Sequence, residues 1–238
     1  IAPGYDAHRR GRGPYFGCLM VLAASAPGRC VLEIGAGTGN NTRAVRDSLP
    51  CDLTALERSA GMLARGRAKV PEAQWVQGDA MALPFPADRF DFLFGTYMLH
   101  HVRDVEGLGR ECRRVLRHDG LAVFVTVPQD FIARHPMNAY FASFAEIDLA
   151  RFQAIPDVEG ALSRAGFREV HSENTIDVPR PIDAAYADRV AGQFISTYAL
   201  LPQDEFKRGL ARLRADIARL GRLDTPIARE ATLVVGRK

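Results

Sequence analysis

The stretch Val31-Leu32-Glu33-Ile34-Gly35-Ala36-Gly37-Thr38-Gly39-Asn40 has the residue types and spacing in this 238-residue chain that point most directly to chemistry. An apolar run enters three alternating glycines, and a helix is expected to begin near Asn41 or Thr42. Glycines serve there because the backbone must turn sharply and admit a ligand where a Cβ would clash. The helix start beyond them offers unpaired N–H groups and the positive end of a helix dipole. Two more carboxylates follow at corresponding places. Glu57 ends a second apolar run, about 20 residues on, where a carboxylate can accept from both hydroxyls of a ribose. Asp79, within Gln77-Gly78-Asp79-Ala80, ends a third and suits an exocyclic amine such as that of adenine. Glu33, two residues before the first glycine, can reach an ammonium. A nicotinamide dinucleotide is the rival ligand, but Asn40 stands where its fingerprint needs a third glycine.

A fourth segment, Gly95-Thr96-Tyr97-Met98-Leu99-His100-His101, carries the side chains best suited to act on an acceptor. Imidazole titrates near neutrality, so His100 or His101 can take up a proton. Packing and polar contacts within the motif are the alternative for both. Tyr97 either orients an acceptor or lines its pocket.

These residues need a scaffold that delivers them to one edge, and the hydrophobic pattern supplies it. Strands are expected at Cys30–Ile34, Asp52–Leu56, Ala73–Gln77, Phe90–Phe94 and Leu121–Val127, each a short apolar run between turn formers. Helices are expected at about 40–49, 59–69 and 104–117. That alternation makes βαβ units and a parallel sheet covered on both faces, with ligands at the carboxyl ends of its strands. Beyond Val127 the rhythm changes. A Phe- and Ala-rich stretch at 131–150 precedes a helix at Asp157–Ala165, a strand at about Phe167–Asn174, helix over 181–220 and a last strand at Ala231–Val235. Phe206, Leu210, Leu213, Ile217 and Leu220 recur at helical spacing between Pro202 and Gly221.

Composition excludes several classes. With 47% hydrophobic and 25% charged residues the chain is ordinary for a globular protein. The formal charge is +3, without any long run of one sign, and basic patches interleaved with aromatics are absent, so no nucleic-acid partner is expected. Apolar runs fall well short of the roughly 18 residues of a membrane span. Four scattered cysteines without a CxxC pair read as reduced thiols and a cytoplasmic location.

Taken together, these motifs resemble those of the class I S-adenosylmethionine-dependent methyltransferases, on the branch of quinone- and natural-product-type enzymes. Val31–Gly39 resembles the glycine motif, and Ala55-Leu56-Glu57-Arg58-Ser59 through Met62-Leu63 the segment after the second strand. Gln77–Phe85 resembles the third motif and Phe90-Asp91 through His100-His101-Val102 the fourth. Arg114–Gly120 resembles the turn before the fifth strand, with His118-Asp119 in place of a commoner Pro-Gly. The resemblance covers residues 28–128 tightly and the remainder loosely.

What it implies is an α/β fold: a doubly wound, mostly parallel, seven-stranded Rossmann-like sheet with an antiparallel last strand and a helical cap. One domain is implied over 1–238, with a lid at 1–27, a cofactor core at 28–128 and helical additions at 129–165 and 179–225. The implied cofactor is S-adenosylmethionine, leaving as S-adenosylhomocysteine. Glu33 and the backbone of Gly35 and Gly95 would hold its amino end, and Gly37 and Gly39 would admit it closely, beside Ala36. Glu57 would hold the ribose and Asp79, with Gly78, the adenine amine, while Arg58, Met62, Ala80 and Met81 flank the ring. Tyr5 and Tyr15 are contact candidates in the lid. His100, His101 and Tyr97 are the catalytic candidates.

The acceptor is expected to be a small, partly apolar molecule methylated on O, N or C, and the protein a monomer or homodimer. Phe131, Tyr140, Phe141, Phe144, Phe194 and Tyr198 are candidates to line an apolar acceptor pocket, with core packing as the alternative. An Asn/Asp-Pro-Pro-aromatic loop is missing after the fourth strand, which argues against adenine-N6 or glutamine acceptors. No cysteine ends a strand as cytosine methylation requires. Asp130 stands beside Gln129 rather than in a carboxylate cluster, so no metal is expected. A cofactor-binding protein without transferase activity and a nicotinamide oxidoreductase are the alternatives from other classes.

Overall fold

The computed structural model describes residues 12–238. Five parallel strands come first, with a helix after each but β3, which a loop joins to β4: β1 Cys30–Ile34, α2 Asn40–Ser48, β2 Asp52–Glu57, α3 Ala60–Lys69, β3 Gln74–Gln77, β4 Phe90–Thr96, α4 Val105–Val115 and β5 Leu116–Thr126. They are preceded by α1, Phe16–Ser25, and followed by the short helices α5, Gln129–Ala133, and α6, Phe144–Leu149. Then come α7 Ile155–Arg164, β6 Arg168–Ile176, three helices, and β7 Glu230–Arg237. The seven strands form one sheet in the order β3-β2-β1-β4-β5-β7-β6, with β7 running antiparallel to both its neighbours. The order reverses between β1 and β4, and that reversal opens a crevice beyond their carboxyl ends.

The central strands are buried on both faces, so their apolar residues run on without alternation, yet neighbours separate cleanly between two cores. Leu32, Ile34, Leu93 and Val234 pack with Leu108 and Cys112 of α4 and Leu162 of α7 on one face. Val31, Phe92, Phe94, Val123 and Leu233 pack with Leu19 of α1 on the other. The period-two direction of strand side chains produces this division. β6 closes the sheet with a mostly exposed strand.

Several boundaries differ from the sequence expectation. β5 begins at Leu116, five residues early, because Leu116 pairs with Phe90 across a register shift and Arg117 binds Asp91, at 2.9 Å. The expected helix over 181–220 is three: α8 Ala184–Ala191, α9 Ser196–Leu200 and α10 Gln203–Leu220. Gln193 has a left-handed φ of 50° and Pro202 lacks an N–H donor, so neither continues a helix.

α6, α8, α9 and α10 enclose a third core of Phe141, Phe144, Tyr186, Tyr198, Leu213 and Ile217. Ring centroids of Phe141 and Tyr198 lie 5.5 Å apart and those of Phe144 and Tyr198 5.2 Å. Phe141, Phe144 and Tyr198 are buried here, and Phe131, Tyr140 and Phe194 pack against them half-buried. The structure therefore uses these aromatics as core. Among the described residues no helix is long and apolar enough to cross a membrane.

Candidate functional site

The glycine loop leaves β1 with Gly35, Gly37 and Gly39 all at positive φ. Gly37 is the open position: a Cβ placed there would meet nothing within 4 Å, as a ligand-facing backbone requires. Gly39 has another task. It caps α2 in the left-handed region, at φ 81°, and a Cβ there would sit 3.1 Å from the Trp75 indole. Its missing side chain faces inward, so Gly39 lets the loop lie flat on Trp75. The N–H groups of Gly35 and Ala36 both donate to the Leu56 carbonyl, at 2.9 and 3.0 Å, and the Ala36 carbonyl accepts from Gly39.

Glu57, the last residue of β2, clasps the loop. One carboxylate oxygen accepts from the Gly37 N–H and the other from the Ser59 N–H, both at 2.8 Å. Each oxygen keeps a lone pair for a hydroxyl donor. Asp79 follows β3 and turns the chain, its Oδ1 accepting from the Met81 N–H at 2.9 Å. It is exposed, as are Arg58 and Met81, while Met62, Gly78 and Ala80 are half-buried. Met62 sits in the first turn of α3, whose cap is Ser59.

Glu33 lies almost wholly inside. Its Oε2 accepts from the Thr42 hydroxyl at 2.6 Å, while its Oε1 is buried with no hydrogen-bond donor. Burial pushes its pKa up to about 8, the Thr42 bond pulling the other way and Glu57 adding to the rise. At pH 7 a carboxyl so raised is held largely in its protonated form.

At the far side of the crevice Tyr97 follows β4 at a φ of 50°, a conformation costly for a bulky residue. Its ring meets Tyr15 edge-on at 5.6 Å. The Tyr15 hydroxyl donates to Asn41 Oδ1 at 2.8 Å, and the Asn41 amide donates on to Thr96. Met98 fills the space between Gly35 and Gly95: a Cβ on either would lie 3.1 Å from it. Leu99–His101 form one short helical turn. The His100 ring stacks on Phe152 at 4.6 Å and meets His101 at a tilt of 50°, centroids 4.0 Å apart. His101 is exposed, yet its pKa is lowered, first by desolvation, then by Arg151 and Arg58, with Glu57 opposing. The loop, Glu57 and His101 thus share one neighbourhood.

Tyr5 lies outside the described residues. The structure also brings in Asn41, Thr42, Thr96, Met98 and Trp75, which sequence reasoning had not assigned to the site. Asn41 and Thr42 stood at the expected helix start and were legible as capping groups there. Trp75 offered no local signal.

The methyltransferase domain family model matches residues 32–124, from β1 to β5. A demethylmenaquinone methyltransferase of Mycolicibacterium paratuberculosis is 36% identical over 167 residues, which cover 70% of this chain and 67% of that relative. The chain belongs to the class I S-adenosylmethionine-dependent methyltransferases. A malonyl-[acyl-carrier protein] O-methyltransferase of Enterobacter lignolyticus is 29% identical over 75% of this methyltransferase and 69% of its own length. Among solved structures, a protein assigned as a methyltransferase of an antibiotic biosynthesis pathway in Anabaena variabilis superposes with a TM-score of 0.72. It is 23% identical and covers 95% of this chain and 99% of its own. That likeness is one of fold, and it extends through the helical additions beyond the family match.

Proposed function

We propose that this methyltransferase binds S-adenosylmethionine along the crevice from Glu33 to Asp79 and methylates a small, partly apolar acceptor lodged against Tyr97. The observation that carries the reading is the unsatisfied buried oxygen of Glu33, on the strand that leads into a loop whose Gly37 backbone is open. A buried carboxylate without a donor costs stability and is retained where a ligand supplies the partner. The residues present fit the group. Glu33 and the Gly35 carbonyl receive its ammonium, Glu57 its ribose hydroxyls and Asp79 its adenine amine, with Met62, Ala80 and Met81 against the ring. When bound, the cofactor supplies a methyl group on an electrophilic sulfonium. The chain's own part is alignment and exclusion of water, by which proximity and orientation lower the barrier. Tyr97, fixed by Tyr15, orients the acceptor, and a neutral His101 accepts its proton where one must leave. The name of the demethylmenaquinone methyltransferase relative supports a partly apolar small-molecule acceptor.

Calorimetric titration with S-adenosylhomocysteine, with NAD as control, tests the cofactor. Micromolar uptake of the first and none of the second is expected. Asp79→Ala should weaken that uptake by about 1.5–3 kcal/mol, the value of a hydrogen bond to a charged group. Unchanged affinity would show that the adenine lies elsewhere.

A further inference from the structure

The helix α1, Phe16–Ser25, carries no charged side chain and, Ser25 aside, consists of glycine and apolar residues. Only Leu19 and Ala23 are buried, against one core of the sheet. Gly17, Val21 and Ala24 share the opposite face by helical spacing and are exposed, Val21 to 70%. Phe16, Cys18, Met20 and Leu22 flank that stripe, half-buried. A helix apolar all round is ordinarily enclosed by protein or lipid. Elsewhere the helices keep a solvated face: α3, α4 and α10 turn Arg65, Arg110 and Arg214 outward. The outer face of α1 is thus an apolar surface without a partner.

The charges at its ends indicate what covers it. Arg12 precedes the helix, its guanidinium 5.4 Å from the Phe16 ring, and Arg29 follows it. Both are exposed, and neither makes an ion pair among the described residues. Asp52, whose N–H donates to the Arg29 carbonyl at 2.9 Å, leaves the Arg29 side chain unpaired. From Ala7 to Leu32 the sequence holds Arg9, Arg10, Arg12 and Arg29 and no carboxylate. Two copies joined through α1 about a two-fold axis would crowd these arginines with no acid to separate them. An anionic lipid surface suits both features, taking apolar side chains below its headgroups and arginines among them.

The same helix starts at the crevice. Its N-cap residue, Tyr15, meets the Tyr97 ring edge-on and donates to Asn41. A surface held against α1 therefore lies within one helix length of Tyr97, about 15 Å at 1.5 Å per residue.

We propose that α1 docks this methyltransferase on an anionic lipid bilayer, Val21 and Met20 entering the interface and Arg12 and Arg29 meeting the headgroups. The docking surface stands apart from the cofactor. Delivery of an apolar acceptor from the bilayer to Tyr97 is its consequence, and that step rests on the reading of the crevice as the methyl-transfer site.

Co-sedimentation of the full chain with vesicles of phosphatidylcholine, alone or mixed with phosphatidylglycerol, tests the docking. Saturable binding to the mixed vesicles is expected, about tenfold or more tighter than to phosphatidylcholine alone and weakening as salt is raised. Val21→Asp should weaken it about tenfold or more and Arg29→Gln about fivefold. In both variants S-adenosylhomocysteine affinity should stay within about twofold of the wild type. Arg29→Gln, at an exposed position, carries the test alone if Val21→Asp does not fold. No binding to either vesicle, equal binding to both, or variants that bind as the wild type does would overturn the proposal. A dimer seen by light scattering that Val21→Asp dissociates, without vesicle binding, would overturn it too and assign the face to a second copy. Vesicle binding by a wild type that ignores S-adenosylhomocysteine keeps the docking surface and removes the cofactor reading.

Discussion

Glu33 shows how one side chain ties stability to ligand binding. Its carboxyl is pushed up to about pH 8 in the folded chain, chiefly by burial, against about 4.3 when unfolded. The native state therefore holds the proton more tightly across this window. Stability is full below the unfolded value and falls as pH rises through 8, by a few kcal/mol. Glu33→Gln should abolish that slope, read by urea unfolding at pH 6 and pH 8.5. An unchanged slope would assign it to another group. In the wild type, S-adenosylhomocysteine affinity should rise with pH toward 8, because the ionised carboxylate is the form that attracts an ammonium, and the Gln variant should lose that rise. At His101 the sign is opposite. Its lowered pKa keeps the ring neutral at pH 7, so turnover on an O- or N-acceptor should climb with pH through a value below 6.5 and then level. His101→Ala should remove that limb and cost about 10²–10⁴-fold in turnover while leaving cofactor affinity alone. A retained limb with normal turnover would exclude His101 as the base.

Among the elements, α3 and β3 support the loop from behind through Trp75, the single tryptophan of the chain. The indole lies against Gly39 and Gly66, and its N–H donates to the Val70 carbonyl at 2.9 Å. Lys69, at the end of α3, donates to Asn40 Oδ1 at 2.6 Å and so pins the start of α2. Gly66 lies inside a helix, where alanine would ordinarily gain about 1 kcal/mol. Here a Cβ would sit 2.1 Å from the buried ring, and overpacking of that kind costs about 1–3 kcal/mol. The clash dominates. Gly66→Ala should lower the melting temperature, shift tryptophan emission and weaken S-adenosylhomocysteine binding together. A more stable variant with unaltered emission would show that α3 can move aside freely.

Over the whole molecule, two faces of one sheet and a separate helical core divide the work. The helical unit is tied to the sheet by bonds such as that of Arg134 to Glu230 of β7, at 2.8 Å. Its interior depends on Phe141, which is fully buried and packs on Phe144, Tyr198 and Phe206. Phe141→Ala should cost about 3–5 kcal/mol, measured by denaturation, while the folded variant keeps S-adenosylhomocysteine affinity within about twofold. Loss of cofactor affinity in proportion to stability would show that the helical unit forms part of the cofactor crevice.

The strand-and-helix order, the glycine loop and the carboxylates at three strand ends were legible in the sequence because their causes are local. Strand side chains alternate by geometry, a left-handed turn favours glycine, and the chain itself carries Glu33, Glu57 and Asp79 to strand ends. Packing between distant segments decided the rest. Residues 131–144 and 194–198 show aromatics in either role, and only the meeting of α6, α9 and α10 made them core. The early start of β5 follows from pairings made across the fold, as does the inward face of Gly39 on Trp75. Arg229 and Asp177 are 52 residues apart. Nothing local distinguishes Arg229 from the other arginines, and its bond to Asp177 arises because β7 runs antiparallel and returns the chain to the working edge of the sheet.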